Sequence, residues 1–424
     1  MFNLLFASRS ATPGLRGALI LLVGLLPAAP VRGQQADAPW TQWRGPARDG
    51  QLAAAAWPDS LDANHLELLW RVDLAPGYSG PLVSGSRIFV TETAERKFEV
   101  VRALDRTTGE QLWEARWEGA VRVPFFAQAN GDWIRATPAY DGERLYVAGM
   151  RDVLVCLDGN SGRELWRVDF PAQVQSPLPA FGFVSSPIVL GDYLFVQAGA
   201  SLVKLNKRTG QILWRSLQDA GGMYGSAFSS PQYAVIADKP QLLVQTRSDL
   251  AGVDVQSGEV LWREEIPAFR GMNILTPTVI GSQIFTSSYG GRSLLFEIRS
   301  QPDGWQVAEV WNHKAQGYMS SPVVIDGYLY LHLRNQRLTC IDLATGKEQW
   351  TTTPFGRYWS MIASGNRILA LDERGELLLI RAAPREFQLI DRRQVAQDTW
   401  AHLAVSGRSV LVRDLQGLLV FHWK

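Results

Sequence analysis

A tryptophan follows a glycine at one fixed distance again and again along this chain, and this repeat limits the folds that the chain can adopt. The segment at 103–113 reads ALDRTTGEQLW, with Trp113 four positions after Gly109. The pattern recurs as CLDGNSGRELW (156–166), KLNKRTGQILW (204–214), GVDVQSGEVLW (252–262) and CIDLATGKEQW (340–350). Self-similarity of this kind indicates a repeat architecture in which each unit packs on its neighbours.

Each repeat reads as four β-strands. A short run such as SSPIVL (185–190) is followed by a Gly/Asp turn and by a second strand such as YLFVQ (193–197). A third strand leads into an Asp-x-x-Thr/Ser-Gly turn, where glycine is expected at positive φ, and the fourth strand carries the tryptophan. Apolar and β-branched residues alternate between the turns without helical periodicity, so we predict an all-β chain.

Counting the strands predicts a ring of eight four-stranded blades, an eight-bladed β-propeller. The first strands begin near Tyr78, Thr137, Ser185, Ser229, Thr276, Ser320, Ser360 and His402. The fourth strands carry Trp70, Trp113, Trp166, Trp214, Trp262, Trp311 and Trp350, with a degenerate copy at 387–393. Segment 66–74 precedes every first strand, whereas 418–423 is a third strand that lacks a fourth. We therefore expect the N-terminal strand to close the last blade, because closure removes exposed edges. We also expect the seven tryptophans to be structural docking residues between blades.

The repeat, small-x-Asp-x-x-x-Gly-[Lys/Glu]-x-x-Trp, resembles the tryptophan-docking motif of the pyrroloquinoline-quinone (PQQ) type eight-bladed propellers. That superfamily includes the quinoprotein alcohol dehydrogenases and the outer-membrane assembly lipoprotein BamB. The segment APWTQWRGPARDG (38–50) is similar to the N-terminal signature of exported PQQ-like propeller proteins. Here we expect Trp40, Trp43 and Arg44 to pack on the disc, and Arg48 and Asp49 to fix a turn. The resemblance implies the fold more specifically than the function, because a propeller hosts both enzymes and binding proteins.

The N-terminus predicts an exported protein. Arg9 and Arg16 precede an apolar run at 17–29 that is too short to span a bilayer. Residues 1–33 are therefore interpreted as a signal peptide cleaved after Gly33, with a membrane anchor as the alternative. Residues 34–65 are interpreted as an extension that packs on the propeller, and 66–424 as the propeller. No cysteine stands directly after the apolar run, so we expect no lipid anchor. We expect the mature chain to be a periplasmic or secreted monomer without a transmembrane segment.

Composition excludes several classes of function. The chain has 42 basic and 41 acidic residues without a long run of either sign, so the basic patch of a nucleic-acid-binding protein is missing. Cys156 and Cys340 occupy the same repeat position in the second and sixth blades, and we expect them to stay unbridged. The five histidines are scattered. No catalytic residue and no metal ligand set is predicted.

The dehydrogenases in the superfamily imply a specific cofactor site, which this sequence does not match. In them PQQ and a calcium ion occupy the central channel beside a catalytic aspartate, under an adjacent Cys–Cys disulfide. This chain has no Cys–Cys pair, and Asp132, Asp219 and Asp398 are the main acids in the loops before the first strands. Calcium needs six to eight oxygen ligands. We predict no cofactor, with PQQ and calcium as the alternative.

The longer loops predict where a ligand binds. In a four-strand meander, the first-to-second and third-to-fourth turns share one face, which we call the short-turn face. The blade-to-blade loops and second-to-third turns lie on the opposite, long-loop face, where binding residues are typically found. The candidate binding rim on this face is Tyr78, Trp133, Arg135, Phe183, Tyr224, Phe228, Arg270, Asn273, Tyr318, Arg357, Tyr358, Trp359, Trp400 and His402. A self-packed plug of the channel is the alternative interpretation of this rim.

Three functions follow from these patterns. We favour a non-catalytic binding or scaffold module that recognises a protein, peptide or glycan of the cell envelope through its aromatic and arginine-rich rim. The alternatives are a PQQ-binding quinoprotein, which would be a divergent dehydrogenase, and an envelope assembly scaffold like BamB.

Overall fold

The computed structural model describes residues 38–53, 57–219 and 227–424. These residues form eight sheets, each with four antiparallel strands, arranged as the blades of a ring; one blade carries a fifth, parallel strand. The predicted signal peptide, 1–33, and the candidate rim residue Tyr224 lie outside the described residues. The all-β prediction and the count of eight blades are confirmed.

Blades 1 to 4 occupy the first half of the ring. Blade 1 consists of Leu82–Ser84, Arg87–Ala94, Phe98–Asp105 and Gln111–Glu118. Blade 2 consists of Ala139–Tyr140, Arg144–Gly149, Val153–Asp158 and Glu164–Asp169. Blade 3 consists of Ile188–Leu190, Tyr193–Ala198, Ser201–Asn206 and Ile212–Ser216. Blade 4 consists of Gln232–Ile236, Lys239–Gln245, Asp249–Asp254 and Val260–Glu265.

Blades 5 to 8 complete the ring. Blade 5 consists of Thr278–Ile280, Gln283–Ser287, Ser293–Gln301 and Gly304–His313. Blade 6 consists of Val323–Ile325, Tyr328–His332, Leu338–Asp342 and Glu348–Thr351. Blade 7 consists of Trp359–Ser364, Arg367–Asp372, Glu376–Arg381 and Gln388–Gln394. Blade 8 consists of Ala404–Ser406, Ser409–Arg413, Gly417–Trp423 and, from the other end of the chain, Leu66–Asp73.

The N-terminal strand closes blade 8, as predicted. Leu66–Asp73 pairs antiparallel with Gly417–Trp423, so that Leu66 faces Trp423 and Asp73 faces Gly417. Next to this junction, Arg393 of blade 7 donates to the carbonyl oxygens of Leu61 and Leu66 at 3.0 and 2.6 Å. Both ends of the chain are therefore held in one blade, and the ring has no open edge there.

The recurrent tryptophan lies between blades. The indole of Trp70 in blade 8 covers the turn glycine of blade 1, since a Cβ on Gly109 would lie 2.8 Å from Trp70 Cε3. Gly109 has φ of +77°, a conformation that glycine adopts without steric cost. Trp70 Nε1 also donates to Arg106 O at 3.1 Å. The same pairing joins Trp113 with Gly162, Trp166 with Gly210, Trp214 with Gly258 and Trp311 with Gly346.

Two tryptophans depart from this pairing for a visible reason. Blade 5 lacks the Asp-x-x-Thr/Ser-Gly turn, and Trp262 of blade 4 instead donates to Gln241 Oε1 within its own blade at 2.8 Å. Trp350 donates to Ala383 O in blade 7 at 2.9 Å. Each indole N–H therefore still has a hydrogen-bond acceptor, as largely buried tryptophans usually do.

Serine and threonine hydroxyls join the blades near the axis. Thr137 N donates to Ser186 Oγ at 3.1 Å, Ser186 N to Ser230 Oγ at 2.9 Å and Ser230 N to Thr276 Oγ1 at 3.0 Å. These residues lie in the Ser/Thr-Pro stretches that precede the first strands. The short first strands are thus held together by side-chain hydrogen bonds, which lie along the wall of the central channel.

Four elements were not anticipated from the sequence. A short α-helix, Phe170–Val174, follows blade 2 and begins where Asp169 accepts a hydrogen bond from Ala172 N. Two 3₁₀ turns, Phe125–Asn130 and Phe269–Gly271, lie in blade-to-blade loops. Finally, Gln51–Leu52 adds a short parallel strand to the inner edge of blade 7.

The N-terminal segment, which we define as residues 38–52, crosses the short-turn face of the ring. It contacts blade 1 through paired Trp40–Val83 backbone bonds and blade 2 through Thr41 O, which accepts from Tyr140 N. Its remaining hydrogen bonds reach blades 3, 4, 6, 7 and 8. The segment therefore lies across the channel and ties most of the ring together.

Candidate binding site in the central channel

The channel contains two connected cavities that open toward the long-loop face. The outer one, the mouth, has a volume of about 550 Å³ and is lined by blade-to-blade loops and second-to-third turns. The inner one, the closed end, has a volume of about 150 Å³ and has Trp43 of the N-terminal segment among its lining residues. Arg135, Phe228 and Trp400 line both cavities. The channel is therefore open at the long-loop face and reaches the N-terminal segment at its inner end.

Aromatic side chains surround the mouth in two arcs. In the first, ring centroids lie 6.2 Å apart between Phe126 and Phe181, and 5.6 Å apart between Phe181 and Phe228. In the second, Tyr289 lies 5.7 Å from Phe269 and 4.9 Å from Tyr318. Such contacts hold the rings in place, and all six rings contribute to the lining of the mouth.

Several phenylalanines at the mouth are exposed to solvent. Phe125 is 85% exposed, Phe126 49% and Phe269 51%. The Phe125–Asn130 and Phe269–Gly271 turns present these side chains at the ends of blades 1 and 4. Exposed aromatic side chains grouped on one face are typical of an interaction surface.

Arginines stand between the aromatic rings of the mouth. The guanidinium of Arg334 lies 4.5 Å above the Tyr289 ring, and that of Arg270 lies 5.0 Å from the Phe269 ring. Arg357 is 66% exposed and makes a 3.5 Å ion pair with Glu373. No carboxylate occurs among the described residues that line either cavity. The mouth thus combines apolar faces with positive charge.

The closed end is built from stacked aromatic rings and a buried histidine. Tyr358 and Trp400 stack at 5.8 Å with an interplanar angle of 10°, and the Tyr358 hydroxyl lies 2.9 Å from His402 Nε2. Burial and the nearby charge of Arg44 lower the pKa of His402 to about 3. Burial raises the pKa of Tyr358, although Arg44 acts in the opposite direction. Both side chains are therefore neutral at pH 7.

The structure gathers most of the predicted rim residues around this channel. Those that line one or both cavities are Tyr78, Arg135, Phe228, Arg270, Tyr318, Arg357, Tyr358, Trp400 and His402. Trp133 is half-buried outside the lining. The other three described candidates, Phe183, Asn273 and Trp359, lie in the core.

The three core residues have structural contacts that explain their positions. Phe183 packs on Phe170 with ring centroids 6.4 Å apart. The Asn273 amide donates to the carbonyl oxygens of Arg247 and Ile266 at 3.1 and 3.0 Å. Trp359 stacks on His332 at 4.9 Å and is fully buried. These side chains enter the core as the chain turns into a blade, so they are not part of the binding surface that we propose.

Some lining residues were missed as candidates. Phe126, Phe269 and Tyr289 contribute to the mouth but were not included in the candidate rim. Phe126 belongs to a pair of adjacent phenylalanines in the segment VPFFAQ (123–128). This segment lacks the alternation of apolar and polar residues that would assign the pair to a strand. Adjacent aromatic residues in a long loop would have been a useful indication of this surface.

The donor set at the channel does not fit a PQQ–calcium centre. Cys156 and Cys340 are free and buried in blades 2 and 6, far from forming a pair of adjacent cysteines. Across residues 38–53, 57–219 and 227–424, no three His, Cys, Asp or Glu side chains are grouped so as to hold a metal ion. The described residues also contain no helix that is long and apolar enough to cross a bilayer.

Comparison with known proteins identifies the family. A family model described as outer membrane protein assembly factor BamB matches residues 96–352, which is more than half of the chain. The chain belongs to this family. The BamB protein of Yersinia pestis is 22% identical over 260 residues, which cover 58% of this chain and 63% of that relative. The chain thus spans less than two-thirds of the length of this relative.

Solved structures support the BamB-type propeller fold. BamB from Moraxella catarrhalis has a TM-score of 0.61 at 14% identity, covering 85% of this chain and 98% of that one. The quinohemoprotein alcohol dehydrogenase from Comamonas testosteroni has a TM-score of 0.64 at 13% identity, covering 91% and 80%. At such identities the likeness shows the fold alone, and an assembly protein and an enzyme share it equally.

Proposed function

We propose that this protein is a non-catalytic scaffold for protein assembly in the cell envelope, and that it holds a polypeptide segment of its partner in the mouth. The observation that carries the proposal is the group of exposed Phe125, Phe126 and Phe269 beside an open, apolar cavity. Membership of the BamB family supports an assembly role, and the predicted signal peptide supports export.

The chemistry of the mouth favours a polypeptide over a sugar or a small cofactor. Its volume of about 550 Å³ accommodates side chains of an extended segment rather than a large folded surface. The aromatic rings would contact apolar side chains, and Arg270 and Arg357 would attract acidic residues that flank them. Phe125 lies at the rim and would add contact area outside the cavity.

The proposal is tested by removing exposed phenylalanine side chains at the mouth while leaving the propeller intact. The variant carries Phe126→Ser and Phe269→Ser, and the matched control carries Leu112→Ser and Leu213→Ser, which are about equally exposed on outer strands (48% and 43%). Each is expressed in the source organism after its own copy of the gene is deleted. The quantity measured is the amount of folded outer-membrane β-barrel protein.

We expect the control to restore barrel assembly and the mouth variant to fail, although both purified proteins keep the thermal midpoint of the wild type within a few degrees. Full restoration by the mouth variant would contradict the assignment of the mouth. If deletion of the gene leaves barrel levels unchanged while the envelope glycans change, the partner is a glycan and the assembly role is wrong.

A further inference from the structure

The N-terminal segment places two arginines inside the protein without a carboxylate to neutralise them. Arg44 and Arg48 are 3% and 1% exposed. Arg44 donates to Pro322 O at 2.5 Å, and Arg48 donates to Pro187 O at 2.8 Å and Ser186 O at 3.1 Å. The Nε atom of each has no partner among the described residues. Carbonyl oxygens therefore satisfy part of each guanidinium, but they supply no negative charge.

Burying two like charges in this way is costly. Burial lowers the pKa of Arg44 to about 10. Burial, together with the charge of Arg44, lowers the pKa of Arg48 to about 9. Both side chains therefore remain cationic at pH 7. Asp49 counteracts the shift of Arg44 without forming an ion pair. Both arginines also have φ of +59°, which is unfavourable for residues with a side chain. Strain and uncompensated buried charge at one place are typical of a functional site.

A third arginine connects this charge to the cavity. Arg135 lines both the mouth and the closed end. Its Nη2 donates to Gly131 O at 2.7 Å, and its Nε has no partner among the described residues. Asp132 acts on Arg135 through its charge, and the guanidinium carbon lies 5.6 Å from the centroid of the Tyr78 ring. Arg135 therefore places a guanidinium without an ion pair among the described residues at the wall of both cavities.

The rest of the closed end suits an anion with an apolar body. Trp43 lies between the cavity and the two buried arginines, with its ring 5.5 Å from each guanidinium carbon. The wall includes the hydroxyl-bearing residues Thr137, Ser186, Ser230, Thr276 and Ser321. Toward the mouth it becomes aromatic at Phe228 and Trp400. Three acids outside the lining act on it. Asp132 acts through its charge on Arg135 and Tyr78, Asp398 acts on Tyr78, and Glu373 accepts a hydrogen bond from Tyr358 N at 3.2 Å.

We propose that the closed end of the channel is a binding site for a small organic carboxylate. The carboxylate group faces Arg135 and the hydroxyl-bearing wall, in the positive field of Arg44 and Arg48. The apolar or aromatic body of the ligand points toward the mouth and packs against Trp400 and Phe228. The volume of about 150 Å³ admits a single small acid. This site is separate from the proposed capture of a polypeptide and requires no protein partner.

The test compares an aromatic carboxylate with its neutral analogue by calorimetry on the full mature protein. Benzoate is the probe, and benzamide has the same shape without the charge; inorganic phosphate is a charged probe without an apolar body. The variant is Arg135→Gln, and the control is Arg299→Gln, which removes the same charge from an exposed position on blade 5. We expect one benzoate per chain, at least tenfold weaker binding in the Arg135 variant and unchanged binding in the control.

Three results would overturn the site: no saturable benzoate binding up to about 10 mM, equal binding of benzamide, or equal binding by the Arg135 variant. Phosphate binding as tight as that of benzoate would refute the apolar part of the proposal. A second measurement needs no variant. In NMR spectra of the wild type at pH 7, benzoate should shift the imidazole resonances of His402, which lines the closed end. Unchanged His402 resonances at saturating benzoate would contradict binding at the closed end.

Discussion

The two ends of the central channel are built in opposite ways. At the short-turn face, residues 38–52 cross the ring and exchange backbone hydrogen bonds with the first strands, and Trp40 is 2% exposed. At the long-loop face, aromatic residues of the connecting loops contact one another and leave their faces in solvent, with Phe125 85% exposed. Aromatic residues thus stabilise the ring at one end and remain available for binding at the other.

This difference separates the part of the molecule that stabilises the ring from the part that we propose for binding. The N-terminal segment makes many of its hydrogen bonds with the blades, and these bonds stabilise the folded ring. Backbone hydrogen bonds within the described mouth loops, such as Ala127 N to Pro124 O and Met272 N to Phe269 O, leave the side chains of these loops for the proposed partner. We therefore expect substitutions at the short-turn face to change stability, and substitutions at the mouth to change binding.

The largest expected effect separates Trp40 from Phe125. Trp40→Ala should lower the free energy of unfolding by about 3–5 kcal/mol, because it removes a buried indole from the core cluster of blades 7, 8 and 1. Phe125→Ala should change it by less than about 0.5 kcal/mol, since this side chain lies in solvent. Urea unfolding of both variants provides the measurement. Similar losses in the two variants would mean that the mouth is part of the core.

A second prediction concerns the seams that hold the short-turn face together. Gly109→Ala should lower the free energy of unfolding by about 2–4 kcal/mol. Alanine is strained at this positive φ, and its Cβ would also overlap the Trp70 ring. Gly85 has φ of +56°, but no atom lies within 4 Å of an added Cβ. Gly85→Ala should therefore lower the free energy of unfolding by about 1–2 kcal/mol, through backbone strain alone. Thermal unfolding of the two single variants compares them directly. Equal costs would show that the tryptophan does not hold the seam.

The smallest effect is a pH dependence at the closed end. The pKa of His402 is about 3 in the folded protein, against an ordinary value of 6.5. Between these values the unfolded chain binds a proton that the folded one does not, so stability falls as the pH decreases. The contribution between pH 7 and pH 5 is about 2 kcal/mol.

This pH effect is isolated by comparing the wild type with His402→Gln in urea unfolding at pH 7 and pH 5. Other titrating groups, including the buried Asp152 and His332, are present in both proteins and cancel in the difference. The variant should lose about 2 kcal/mol less stability on acidification than the wild type. Equal losses would show that His402 is accessible to protons in the folded state.

The ring was predictable from the sequence because its constraints recur. Five of the seven tryptophans pack on a turn glycine of the next blade, and the offset of Leu66–Asp73 from the first strands indicated how the ring closes. The parallel pair Gln51–Leu52 was not predictable, because two residues carry no periodic pattern.

The candidate site was predictable only in part. Position before a first strand selected Arg135, Tyr358 and Trp400, which do line the channel. The same rule selected Trp359, whose side chain points into the core because it is the first residue of its strand. Neighbouring residues of an extended chain face opposite sides, so a rule based on position in a loop cannot separate them without the backbone direction.

The most direct test of the central claim is site-specific cross-linking from the two faces. A photo-reactive residue replaces Phe126 at the mouth in one protein, and Val235, which is 52% exposed near the first-to-second turn of blade 4, in the other. Both are activated in intact cells and the adducts are identified by mass spectrometry. We predict that position 126 captures a protein of the outer-membrane assembly machinery or one of its substrates, and that position 235 does not. Capture of such a protein from position 235 alone would contradict the assignment of binding to the mouth.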